Sequence, residues 1–289
     1  MTSHIDEPLQ WQVGSVTITR IEESITPVPA GYLVVGLTAA HIDAQRPWVS
    51  PFFTDDGALL LSVHSFVVQS QGITVVVDTC AGLHEGRPLE GNPAFLERIE
   101  RHVDGGCAGV DVVVCTHLHF DHVGWNTMRD ESGAWVPVFP NARYLVTAPD
   151  LASMDDADGL DDIASTSVDP LDVAGLLDPV TVDHVINDEI RLFPTPGHTP
   201  GHVSVLIESN GSHAVITGDA VHSPIQFTYP ELAASRVDHD SDRSTRTRRD
   251  LVELLLDTDT LVLGTHFAPP TGGVLRSIDD TVAFVPPGW

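Results

Sequence analysis

Thr116-His117-Leu118-His119-Phe120-Asp121-His122 follows directly on the apolar run Val110, Val112, Val113, Val114 and Cys115. The run reads as a buried strand, and the residues after it gather imidazoles and a carboxylate for which a strand end has no packing use. A divalent cation accounts for them, because at neutral pH it takes neutral imidazole nitrogens and ionised carboxylate oxygens at roughly 2.0–2.2 Å. Alternation along an extended segment sends His117 and His119 the same way. Asp121 and His122, at the start of the next segment, turn toward a neighbouring ion, so the spacing points to two ions instead of one.

Two ions need ligands from elsewhere in the chain. Thr195-Pro196-Gly197-His198-Thr199-Pro200-Gly201-His202 is a rigid turn with His198 at its tip. Ile216-Thr217-Gly218-Asp219 places an acid after an apolar strand, and Leu261-Val262-Leu263-Gly264-Thr265-His266 does the same with a histidine. Each is weak alone, since Gly-Asp after a strand is most often a plain turn. In this order, with the His-x-His-x-Asp-His run, the set resembles the metallo-β-lactamase superfamily from Asp78 to His266.

The resemblance implies an α/β fold, a four-layer αββα sandwich. It implies one ion held by His117, His119 and His198, the other by Asp121, His122 and His266, and Asp219 as the bridge. Asp78, in Val77-Asp78-Thr79, would support a ligand histidine from behind, as an imidazole on a metal wants an acceptor on its other nitrogen. Many true β-lactamases of the superfamily carry Cys at the bridging position, so Asp219 argues for the dinuclear, glyoxalase-II-like and lactonase-like branches. The resemblance is nearest to the N-acyl-homoserine lactonase and methyl parathion hydrolase branch. Lactonases of that branch have Tyr three residues after the bridging Asp, where this chain has His222.

Composition narrows the chemistry. All 14 basic residues are arginine against 41 acidic ones, a net charge of −27. That charge repels phosphate backbones and disfavours nucleic-acid partners, and the lack of lysine excludes Schiff-base chemistry. Arg243, Arg246, Arg248 and Arg249 read as the solvated start of a helix. Cys80, Cys107 and Cys115 lack CxxC spacing, so neither disulfides nor a zinc-thiolate site is expected. No apolar run is long enough for a membrane span and Met1–Glu7 has no signal-peptide pattern, which makes the expected location cytoplasmic.

One domain, 1–289, is expected. Strands are predicted over Trp11–Glu22, Leu59–Gln69 and Ile73–Asp78, the last two forming a hairpin at Ser70-Gln71-Gly72. Asn92-Pro93 opens a helix through Phe95, Leu96, Ile99 and Val103, and another helix over Arg243–Asp257 turns Leu251, Leu254 and Leu255 inward. The stretch 26–57 reads as long and irregular, serving as a lid over an apolar substrate pocket, a homodimer contact or core packing. The segment 154–188, with Asp155, Asp156, Asp158, Asp161 and Asp162, reads as a solvated acidic insertion. Trp125 has substrate contact and core closure open to it.

The expected activity is that of a dinuclear-metal hydrolase of a lactone or small ester, zinc being the first metal and manganese or iron the alternatives. A hydroxide bridging two cations is a nucleophile at neutral pH, Asp121 would carry the proton to the leaving group, and His222 would donate to the developing oxyanion. Organophosphate, thioester and β-lactam hydrolysis are the alternatives of the same fold. A di-iron redox role needs a flavin module for which this length has no room.

Overall fold

The computed structural model of the chain describes residues 8–89, 91–154, 161–232 and 237–287. Two compact units make it up, one comprising Met1–Ser24 and Val63–Val180, the other Ile25–Ser62 and Thr181–Trp289.

The first unit is built on a seven-stranded sheet of order β1-β2-β3-β4-β5-β8-β9. These are β1 Gln10–Val13, β2 Val16–Val28, β3 Leu59–Ser70, β4 Ile73–Val77, β5 Val112–Val114, β8 Arg143–Thr147 and β9 Leu177–Val180; β6 Thr127–Arg129 and β7 Trp135–Pro137 form a separate ribbon. The β3–β4 hairpin falls where the sequence predicts it, whereas Trp11–Glu22 is broken into β1 and β2. Strands β4, β5, β8 and β9 run parallel, and the helix Ala94–His102 supplies the crossover between the first two. Asn92 Oδ1 caps it, accepting the Ala94 N–H at 3.0 Å, and Phe95 and Ile99 are its buried face. Strand β5 is buried along its whole length, as a central parallel strand must be.

Trp125 closes this core. Its ring stacks on Phe95 at 6.2 Å, and its indole N–H donates to Glu23 Oε1 at 2.6 Å. Glu23 also accepts the backbone N–H groups of Ala81, Gly82 and Asn92. A side chain at Gly124 would put its Cβ 1.8 Å from the Ala81 carbonyl, so only glycine fits beside Trp125. The acidic segment also contributes: Ile163, Val168 and Leu171 are buried in the same core, on the short helical turns Asp161–Ile163, Ala164–Val168 and Asp169–Val173. Asp155, Asp156 and Asp158 lie outside the described residues.

The second unit carries a six-stranded sheet, β10 Ile190–Pro194, β11 Val203–Ser209, β12 Ser212–Ile216, β13 Leu261–Leu263, β14 Gly272–Ile278 and β15 Thr281–Val285, in that order. Strands β12 and β13 are parallel with Ile216 opposite Leu263. The stretch expected to be irregular holds a helix, Ala39–Val49, whose N-terminal Thr38 N–H is accepted by His41 Nδ1 at 3.2 Å. Histidine in place of the usual Glu or Gln in that box, and Pro47 inside the helix, hide it from pattern reading. Phe52 packs edge-on against Phe267 and Phe284, each at 5.8 Å, while Tyr32 and Val35 are exposed.

The helix Ser241–Leu255 begins at Asp240, whose carboxylate accepts the Arg243 N–H. Leu251 and Leu255, four residues apart, face inward, but Leu254 is exposed. Arg243, Arg246 and Arg249 are exposed as expected. Arg248 is not: its side chain is 0% exposed and paired with Asp238, a long-range partner that replaces the solvent a cation otherwise needs.

Candidate metal centre

In the first unit, parallel β4 and β5 end in register at Val77 and Val114. Asp78 therefore emerges beside Thr116, accepting the Thr116 N–H at 2.8 Å and its hydroxyl at 2.9 Å. Asp78 Oδ2 lies 2.9 Å from His122 Nδ1, the supporting contact expected of it. The loop carrying the motif is held by the Thr79 N–H on the His122 carbonyl at 2.7 Å and by Asp150, a buried acid accepting the Leu118 N–H at 3.1 Å. His117 Nε2 and His119 Nδ1 stand 3.0 Å apart, and Asp121 Oδ1 lies 3.8 Å from His122 Nε2. His117 and His122 are fully buried, whereas the Asp121 side chain keeps 14% exposure. Beside His119 opens a cleft of about 450 Å³ lined by Arg87, Phe120, Asp162 and Ile163. Arg87 is fixed there by Asp162 at 3.1 Å and by the Thr166 hydroxyl at 3.0 Å.

In the second unit the same device recurs. Asp219 and His266 each come three residues after the register pair Ile216 and Leu263, so they leave the sheet at one edge. His266 Nε2 stands 3.1 Å, His222 Nε2 3.2 Å and His198 Nε2 3.4 Å from Asp219 Oδ2. One ligand atom each of His198, Asp219 and His222 lies within 4.8 Å of the others. His222 is 2% exposed and stacks on His266, yet neither of its ring nitrogens makes a hydrogen bond among the described residues. Its backbone N–H is held by Gln226 at 2.8 Å. His202 is turned the other way. Its Nε2 accepts the Asp219 N–H at 2.8 Å and its Nδ1 reaches Thr195, so it fixes the acid and is not itself among the donors.

The donor set suits divalent metal. His266 Nδ1 can only donate to the Ser62 carbonyl, 2.8 Å away, and His198 Nδ1 faces Asp238 Oδ1 at 3.0 Å. A neutral imidazole with its proton on Nδ1 presents a bare lone pair on Nε2. Both lone pairs then point at a carboxylate oxygen, an arrangement that repels unless a cation lies among them. Charging several buried imidazoles instead carries a large desolvation cost, whereas oriented neutral imidazoles and a carboxylate are what zinc takes. His122, turned by Asp78, has the same orientation.

The Metallo-beta-lactamase superfamily model matches residues 58–266, well over half of the chain. The chain belongs to the metallo-β-lactamase superfamily. It is a metal-dependent hydrolase with the metallo-β-lactamase fold, the α/β class expected from the sequence. Among similar proteins, an N-acyl homoserine lactonase of Bacillus sp is 27% identical over 235 residues, covering 75% of this chain and 86% of its own length. The probable metallo-hydrolase YflN of Bacillus subtilis (strain 168) is 29% identical over 184 residues, covering 57% and 67%. Of the similar solved structures, AidC, a dizinc quorum-quenching lactonase in complex with a product, superposes with a TM-score of 0.80 at 17% identity over 98% of both chains. The hydrolase AbOPH gives 0.82 at 22% over 99% of both.

Asp150, Asp238 and the role of His202 escape sequence reading. Asp238-His239-Asp240 looks like an acidic surface turn, and nothing local ties its first residue to a histidine 40 positions away. Cys80 and Cys115 are buried core residues and Cys107 is half-buried, and burial pushes the Cys115 thiol up to about 12. Tyr229 packs against His41, with ring centroids 4.8 Å apart. Among the described residues no helix is long and apolar enough to cross a membrane.

Proposed function

We propose that this hydrolase works with two divalent metal ions, zinc first among them, and opens lactones or cleaves small esters. The observation that carries the proposal is Asp219 Oδ2 with the Nε2 atoms of His198, His222 and His266 around it. We assign His117, His119 and His198 to one ion, Asp121, His122 and His266 to the other, and Asp219 to both. When bound, the ions supply a water nucleophile at neutral pH and polarise the scissile carbonyl. The relatives named N-acyl homoserine lactonase support the substrate class.

The chain's own groups do the rest. His222, whose ring nitrogens make no hydrogen bond among the described residues, donates to the oxygen that gains charge, the role a tyrosine has in the resembling lactonases. Asp121 keeps contact with solvent and carries the proton to the departing oxygen. The cleft beside His119 falls in the size range of small-molecule pockets. Few cysteines, all of them free thiols, favour a reducing compartment, the cytoplasm.

The test is a hydrolysis panel on metal-quantified protein: acyl-homoserine lactones, γ- and δ-lactones, aryl esters, a thioester, a phosphotriester and a β-lactam. Turnover of lactones or esters above the other classes is expected. No turnover of either with two metals bound refutes the proposal.

A further inference from the structure

The buried pair of Asp238 and Arg248 belongs to none of the assigned ligands, and both side chains are 0% exposed. Asp238 Oδ1 meets His198 Nδ1 at 3.0 Å, and Arg248 Nη1 stands 3.7 Å from the other oxygen. The guanidinium is anchored by its Nε on the Pro230 carbonyl at 2.8 Å and by Nη2 on the Thr245 hydroxyl at 3.3 Å. Burying an arginine and a carboxylate carries a heavy desolvation cost unless they serve each other and a further partner. Here the partner is a histidine of the metal set.

The helix that carries Arg248 is also seated on the turn that carries His198. Thr247 Oγ1 donates to the Pro196 carbonyl at 2.6 Å, and the N–H groups of His239 and Asp240 donate to the carbonyls of His198 and Gly197 at 3.0 and 2.9 Å. At Gly197, with φ 134°, an added Cβ would lie 2.3 Å from the Ser244 nitrogen, so the first turn of the helix rests directly on the glycine. Backbone and side-chain contacts thus converge on one imidazole.

We infer that Arg248 and Asp238 are positioning residues: Arg248 holds the Asp238 carboxylate in place, and Asp238 accepts from His198 Nδ1 so that Nε2 is aimed at the metal. The relay rests on His198 being a ligand, as proposed above. Such support for a ligating histidine is worth about 10–100-fold in metal affinity.

Zinc affinity of the full chain, read by competition with a chromophoric chelator, tests it. Asp238→Asn should weaken one of the two equivalents about 10–100-fold, and Arg248→Met should weaken the same one. Arg248→Lys should recover part of that loss, and Arg249→Met, at an exposed position on the same helix, should show none. In the cobalt-substituted protein the visible spectrum of that equivalent should shift in Asp238→Asn. Wild-type affinity in both Asp238→Asn and Arg248→Met overturns the relay. If His198→Ala keeps both equivalents, the ligand assignment falls and the relay with it; if it loses one while Asp238→Asn and Arg248→Met lose nothing, only the relay falls. Histidine-selective ¹⁵N NMR of the zinc-loaded wild type needs no variant: a proton on His198 Nδ1 with Nε2 bare supports the relay, and the opposite tautomer overturns it.

Discussion

Asp78 shows how one side chain joins fold and chemistry. It takes the left-handed conformation at φ 58°, which aspartate tolerates better than most residues, and so aims its carboxylate at Thr116 and His122 together. Asn adopts that backbone too, so Asp78→Asn keeps the turn while weakening the acceptor for His122. One metal equivalent should then bind about 10–100-fold more weakly in a chelator competition, and unchanged affinity would count against the role given to Asp78. The thiols make a second case. Burial pushes Cys115 to about 12 and Cys80 well above its usual value, and burial followed by Glu100 takes Cys107 to about 12. Since the thiolate is the reactive form, a disulfide reagent at about pH 8 should react slowly with the folded chain and quickly with all three cysteines after denaturation. Rapid labelling of the native protein would mean that the packing around them is wrong.

The loops that carry the candidate ligands are set by strand ends, and the turns behind them need their own support. Glu23, on β2, accepts four N–H groups from Ala81, Gly82, Asn92 and Trp125, tying three segments together. Glu23→Gln turns one acceptor oxygen into a donor facing donors and should cost about 2–4 kcal/mol in urea unfolding with the m-value unchanged. Burial holds this carboxyl above the usual carboxylate range. Folding therefore takes up a proton between the unfolded and folded values, and the contribution of Glu23 falls as pH rises through that window and is constant above it. The difference in stability between wild type and Glu23→Gln should vary with pH there and be flat above; a difference flat throughout would contradict the shift. What was legible at this level was local: the β3–β4 hairpin, the Asn92 cap, and the strands leading to His122, Asp219 and His266. The helix Ala39–Val49 was hidden by its histidine box and its proline. Arg248 was misread as solvated because its partner sits on another segment, which a charge count along the chain does not see.

With a net charge of −27, the folded chain works against its own repulsion, which screening by salt relieves. Raising ionic strength should raise the melting temperature of the metal-loaded protein, and a decrease would point instead to surface ion pairs as the dominant charge effect. The same charge fits a small-molecule hydrolase better than a nucleic-acid enzyme of this superfamily. The candidate ligands were legible in the sequence because histidine and aspartate at strand ends have few other uses. Sequence did not reach Asp150, Asp238 or the service of His202 to Asp219, since each acts across many residues of chain on a backbone group or ring nitrogen. The central claim is that Asp219 is shared between two ions, and metal content reads it directly. Wild-type protein should carry two divalent ions per chain, and Asp219→Ala should lose at least one of them together with hydrolytic activity. Full metal content with full activity in Asp219→Ala would contradict the account.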